Sequence, residues 1–147
     1  MDETRKPTAS DADLILKLYE LRREPRMRQA RDYYAFSFFP TTYEDLVKIM
    51  SAPGTDENAF LRQVTSYWEM AAVFVAKGVI DAELFFESCP EMWMVYTKMK
   101  PFLPQIRKDF SPTAFRNIEN VAEASPEGRQ RVQMMSQRLA QMKAVTK

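Results

Sequence analysis

Apolar side chains recur along this chain at spacings of three and four, and proline, glycine or a hydroxyl residue ahead of an acid interrupts them repeatedly. The clearest run is Phe60, Val64, Tyr67, Trp68, Ala71 and Val75, which fall on one face of a helix. Gly78 follows where a left-handed C-terminal cap belongs. Upstream, Ser10 with Asp13 three residues on has capping-box spacing ahead of Leu14, Leu18 and Leu21. That helix should stop at Glu24, because the residue before Pro25 is disfavoured in the α region. A second helix then runs from Pro25 towards Phe39 and ends before Pro40. Thr41 and Thr42, each with an acid three residues later (Glu44, Asp45), open a short helix to Met50. Residues 51–56 contain Pro53-Gly54 and read as a loop.

Beyond Gly78, Asp81 is placed to cap a short helix carrying Phe85 and Phe86, and Pro90 and Pro101 suit the first turns of two more. Ser111-Pro112 and Ser125-Pro126 each offer a capping hydroxyl followed by a preset φ. The first leads into Phe115, Ile118 and Val121. The second opens a polar helix over residues 126–144 whose apolar line is Val132, Met135, Leu139 and Met142. The pattern therefore predicts an all-α protein, one irregular or orthogonal bundle of about eight or nine helices, several of them short. It forms a single domain over residues 1–147, with 1–9 flexible.

Composition sharpens this. There are three glycines, none in an Asn-Gly, Asp-Gly or Gly-Gly pair, so tight hairpins lose their usual support. One cysteine excludes an intrachain disulfide. Residues 1–7 have no apolar stretch of the signal-peptide kind, and the longest apolar run, Met70–Ala76, falls far short of the ~20 residues a span needs. No membrane span and a cytoplasmic location are the expectations. The net charge of +1 is unevenly placed: residues 35–97 carry three Lys/Arg against nine Asp/Glu, and residues 98–147 carry ten against four. Complementary packing of the two segments is the plainer explanation, and a basic binding surface the sharper one.

The chain has no histidine. Serine-hydrolase triads, Cys–His dyads, His-ligated zinc and Glu-x-x-His di-iron sites all need an imidazole, and phosphate-cradling glycine loops are absent too. No catalytic, metal-binding or cofactor-binding residue is singled out, and no cofactor is expected. Glu83 and Glu87, with Glu91 nearby, share a helical face, but lack the flanking ligands of a cation site and read as solvated. Cys89 beside Pro90 is read as a small buried apolar residue rather than a reactive thiol. The arginines from Arg22 to Arg31, followed by aromatics to Phe39, are interleaved with Glu24 and Asp32. Met27, Ala30, Tyr34 and Phe38 form one stripe, which reads as core with a solvated face. Met92, Met94 and Met99 surround Trp93 and Tyr96, a composition that suits either core filling or an adaptable surface.

From Phe60 to Arg107 the chain resembles small helical bacterial families of unknown function. The resemblance rests on Trp68-Glu69, on the turn Phe74-Val75-Ala76-Lys77-Gly78-Val79-Ile80-Asp81, on Trp93, and on Pro101-Phe102-Leu103-Pro104-Gln105-Ile106-Arg107. It implies a compact helical domain and assigns no activity. Related families often carry an N-terminal membrane helix, for which residues 1–7 give no sign.

Three functions are open at this point. The first is a protein-interaction or regulatory module, with a protein partner or self-association through Val132, Met135, Leu139 and Met142. The second is a nucleic-acid-associated regulator using basic residues 98–147. The third is an apolar small-ligand binder or enzyme with a pocket near Trp68 and Trp93, drawing on Glu69, Asp81, Tyr96 and Arg107.

Overall fold

A computed structural model describes residues 5–146, and those residues form nine α-helices and no strand. They are α1 (Ala9–Arg22), α2 (Pro25–Phe36), α3 (Tyr43–Met50), α4 (Asp56–Ala76), α5 (Ala82–Ser88), α6 (Glu91–Met99), α7 (Leu103–Asp109), α8 (Arg116–Ala122) and α9 (Pro126–Thr146). A 3-10 turn, Lys100–Phe102, joins α6 to α7. No described helix is long and apolar enough to cross a membrane.

The long α4 is the axis of the bundle. Its buried side chains include Leu61, Val64, Tyr67, Trp68, Ala71, Ala72 and Val75, the spacing that the sequence displays. Helices α2 and α8 both pack along it, while α6 bridges α4, α8 and α9. Helix α6 is buried nearly all round, through Met92, Trp93, Val95, Tyr96 and Met99. Aromatic edges lock the centre: Trp68 meets Tyr67 at 4.9 Å and 87°, and Phe86 meets Trp93 at 5.1 Å and 90°. Cys89 is buried, and burial pushes its thiol pKa up against the opposing influence of Arg22; it behaves as a small apolar residue.

Most helix ends follow local rules. Thr42 and Asp45 form a capping box at α3, Thr55 caps α4, Asp81 caps α5, and the Ser125 hydroxyl accepts from Gly128 N at 3.0 Å at the start of α9. At the end of α4, Val79 N bonds Phe74 O at 2.8 Å and Gly78 N bonds Val75 O at 3.0 Å, with Gly78 at φ 78°. These two bonds are the Schellman pattern, which needs a left-handed residue at this place.

Four ends depart from the expectation. Helix α1 is capped by Thr8, whose box partner is Asp11, rather than by Ser10 with Asp13. Both pairs have the right spacing; Asp11 wins because its buried carboxylate also accepts from Arg5 Nη2 at 2.7 Å and Asp81 N at 2.9 Å. Residues 1–4 lie outside the described residues, while Arg5 and Thr8, within the stretch expected to be flexible, are tied into this network. Helix α2 ends at Phe36, short of Phe39, since Ser37 N and Phe38 N both turn back to Tyr33 O. Pro101 opens the 3-10 turn, and Pro104 takes the first turn of α7. Ser111-Pro112 starts no helix: Arg116 N bonds Thr113 O at 3.1 Å in a turn, Phe115 adopts a left-handed φ of 61°, and α8 begins one residue later.

Candidate functional site

Four of the six residues expected around a pocket converge, but on a helix rather than a cleft. Glu69 of α4 receives the N-terminus of α8: its Oε1 accepts from Asn117 N and Asn117 Nδ2, both at 2.9 Å, and its Oε2 from Ile118 N at 3.0 Å. A carboxylate there satisfies orphan amides and faces the positive end of the helix. Arg107 of α7 donates to Ala114 O at 3.0 Å and lies 3.2 Å from Glu119 Oε1. The Tyr96 hydroxyl donates to Glu123 Oε2 at 2.5 Å, and Lys100 reaches the other oxygen at 2.8 Å. Burial and the adjacent carboxylates push the Tyr96 phenol far above its ordinary value. Burial pushes Glu123 up, yet the bonds from Lys100 and Tyr96 outweigh it and hold its pKa below the usual range. Trp93 completes the clamp, its indole N–H donating to Ala122 O at 3.2 Å. Four elements thus grip a seven-residue helix too short to be stable alone. Trp68, fully buried among Tyr67, Phe85 and the Arg22 guanidinium, lies in the core outside this set.

Asp81 belongs elsewhere. It stands on the wall of a groove of about 700 Å³ formed by the end of α4, the Gly78 turn, α5, α8 and the start of α9. Val75, Ile80, Phe86, Trp93 and Val121 contribute its apolar surface. Its rim carries Glu83, Glu87 and Glu127 against Lys77, while Arg5 is already paired with Asp11 and Asp81. The three rim glutamates are exposed and make no ion pair among the described residues. Two of its aromatic residues also contact Arg131, which does not itself line the groove: the guanidinium lies 3.6 Å from the Phe86 ring centroid and 4.8 Å from that of Trp93, and donates to Phe86 O at 2.8 Å. Among the described residues no three acidic or cysteine side chains gather as a metal site. Of the expected pocket residues, then, Trp93 and Asp81 line a cavity, and Glu69, Tyr96 and Arg107 hold α8 instead. Periodicity and capping do not reveal Phe86, Val121 or Glu127 as groove residues, because they come from three elements joined only by the fold.

The apolar line of α9 lies along α6. Val132 and Leu139 are buried, at 4% and 9% exposure, Met135 is half-buried and Met142 stays exposed. Gly128 brings α9 close to α8: a Cβ there would stand 2.3 Å from Ala122 O, the same oxygen that receives the Trp93 indole. The basic character of residues 98–147 is also largely spent within the chain. Lys98, Arg129, Arg131 and Lys143 donate to backbone carbonyls, and Lys100 and Arg107 pair with Glu123 and Glu119. The acidic middle segment is met instead by N-terminal arginines, through Arg5–Asp81, Arg26–Asp56 and Arg31–Glu91.

Comparison with curated proteins and with solved structures gives no match. A family model does match, over residues 7–125, which takes in α1 to α8 and stops where α9 begins. The chain belongs to the family described as Domain of unknown function (DUF4760).

Proposed function

We propose that this protein is a regulatory binding module without catalysis of its own, and that the groove beside Trp93 receives a small amphiphilic cation. The observation that carries the reading is the groove itself: about 700 Å³ with an apolar floor and, on its rim, three exposed carboxylates that make no ion pair among the described residues. That volume falls in the range of small-ligand pockets, which are mostly apolar with a few polar groups fixing orientation. Glu83, Glu87 and Glu127 outnumber Lys77 on the rim, so the field favours a positive ligand group.

A binding role suits the remaining candidates too. Glu69, Tyr96 and Arg107 are engaged in holding α8 and do not line the groove, so they are not available there to act on a ligand. Internal use of Lys98, Arg107, Arg129 and Arg131 weakens the nucleic-acid reading, and burial of Val132 and Leu139 weakens the reading of α9 as a free partner surface.

The test uses 3-phenylpropylammonium and its anionic counterpart 3-phenylpropionate, followed by intrinsic tryptophan fluorescence. The ammonium probe should bind at least tenfold more tightly, and Glu83→Gln with Glu87→Gln should remove most of that preference. Equal affinity for the two probes, or a preference untouched by the double substitution, would overturn the reading.

A further inference from the structure

The groove beside Trp93 already holds one cation that belongs to the chain. Arg5 lines it from the segment ahead of α1, and its guanidinium forks between two carboxylates. Nη2 donates to Asp11 Oδ1 at 2.7 Å, and Nη1 stands 3.3 Å from Asp81 Oδ1. We propose that Asp81 is the inner anchor for the ligand's positive group, and that Arg5 is a built-in competitor for that anchor. The inference rests on the cation-binding reading above and adds the residue that receives the charge and the residue that restrains it.

The two arms of the fork are unequal. Asp11 is 1% exposed and has both oxygens taken: Oδ1 accepts from Arg5 and from Asp81 N, and Oδ2 from Thr8 N and Thr8 Oγ1. Asp81 differs. Its Oδ2 caps α5 by accepting from Leu84 N at 2.9 Å, whereas Oδ1 meets Arg5 Nη1 at ion-pair distance only, and the buried Nη1 finds no hydrogen-bond acceptor. A short charge-assisted bond is the stronger kind, so the guanidinium can keep Asp11 and give up Asp81. Asp81 is then the carboxylate of the groove wall with an oxygen open to a better donor. Its side chain is mostly buried, so an ion pair made there is screened less than one made at the exposed Glu83, Glu87 or Glu127. The rim draws the ligand in, and Asp81 fixes it.

Arg5 opposes this by its charge. While it stands beside Asp81, an incoming ammonium meets a like charge at the anchor. Filling the site turns the guanidinium towards Asp11, and the change reaches the start of α1. Asp11 is the box partner of the Thr8 cap and also accepts the amide of Asp81, so one carboxylate joins the groove wall to the first helix.

The experiment titrates the full chain with 3-phenylpropylammonium, read by tryptophan fluorescence, after circular dichroism has shown each variant to be folded. Arg5→Gln should bind at least tenfold more tightly than the parent. Arg5→Lys keeps the charge but lacks the planar fork that spans two carboxylates; it should bind at least threefold more tightly at unchanged net charge. Lys77→Gln, which removes one charge from the groove without touching Asp81, should gain less than threefold. Adding Asp81→Asn to Arg5→Gln should bring the affinity back to within about twofold of the parent, because the carboxylate freed by one change is removed by the other. In the parent, the Arg5 Nε–H resonance, assigned by its loss in Arg5→Lys, should shift as the groove fills. Ammonium binding that depends on the rim glutamates but is no tighter in the Arg5 variants overturns this inference alone. So does a gain in Arg5→Gln that Lys77→Gln matches or that survives Asp81→Asn. Absence of ammonium binding in both the parent and Arg5→Gln overturns this inference and the cation-binding reading together.

Discussion

Replacing Glu69 by Gln tests whether α8 is held from outside rather than by its own sequence. The carboxylate accepts three N–H groups at 2.9–3.0 Å, two of them first-turn amides of α8. Bonds to a charged acceptor contribute ~1.5–3 kcal/mol each in favourable burial; Glu69 is half-buried, so the lower end applies. Glutamine keeps one acceptor oxygen, turns an amide N–H₂ towards the second donor site, and loses the charge at the helix N-terminus, itself worth ~0.3–1 kcal/mol. The expected loss is about 2 kcal/mol, which corresponds to roughly 4–8 °C in Tm for a domain of this size. Thermal unfolding by circular dichroism measures the total, and hydrogen exchange locates it. Residues 116–122 should lose protection while residues 60–75 of α4 lose much less at the same temperature. Tyr96→Phe, which removes the bond to Glu123, should combine with Glu69→Gln non-additively, because both act on one short helix. A Glu69→Gln protein that melts within 1 °C of the parent with α8 equally protected would refute the clamp.

Other consequences follow from single places in the fold. Gly128→Ala should destabilise despite alanine's ~1 kcal/mol advantage in helices, because the new methyl meets Ala122 O at 2.3 Å; a raised Tm in differential scanning calorimetry would show that the α8–α9 contact yields freely. Gly78→Val should cost about 1–2 kcal/mol through left-handed strain alone, since no atom lies within 4 Å of the new Cβ, and urea titration at constant m-value is the measurement. The Asp11 carboxyl, held well below the usual range by Arg5 and then by Thr8 N, contributes stability that is complete above its unfolded value of about 4 and is lost as pH falls below it. Asp11→Asn should therefore flatten the acid limb of a Tm-against-pH curve between about pH 4 and 2. Leu139→Glu places a charge in the α6–α9 contact and should cost ~3 kcal/mol or more with no change of mass by light scattering; dissociation of a dimer into stable monomers would mean the seam serves a second chain instead.

The features readable from the sequence are those decided within about four residues. Thr42 with Asp45, Asp81, Gly78 and Ser125 each bond to amides or carbonyls a few positions away, so their roles follow from residue type and spacing. The buried face of α4 and the all-helical class are legible for the same reason, since periodicity reports one face of one helix. Where two local solutions compete, the tertiary structure chooses. Thr8 prevails over Ser10 because Asp11 alone also reaches Arg5 and the amide of Asp81, 70 residues away in the chain. Ser111-Pro112 has every local sign of a helix start, yet α8 begins at Arg116 where Glu69, 48 residues earlier in the chain, accepts the Asn117 amide. Burial likewise settles the chemistry of Lys98, whose three carbonyl partners lie 60 or more residues away. The groove beside Trp93 is a product of packing: its walls join α4 to α9, segments whose separation in sequence hides them from any local pattern.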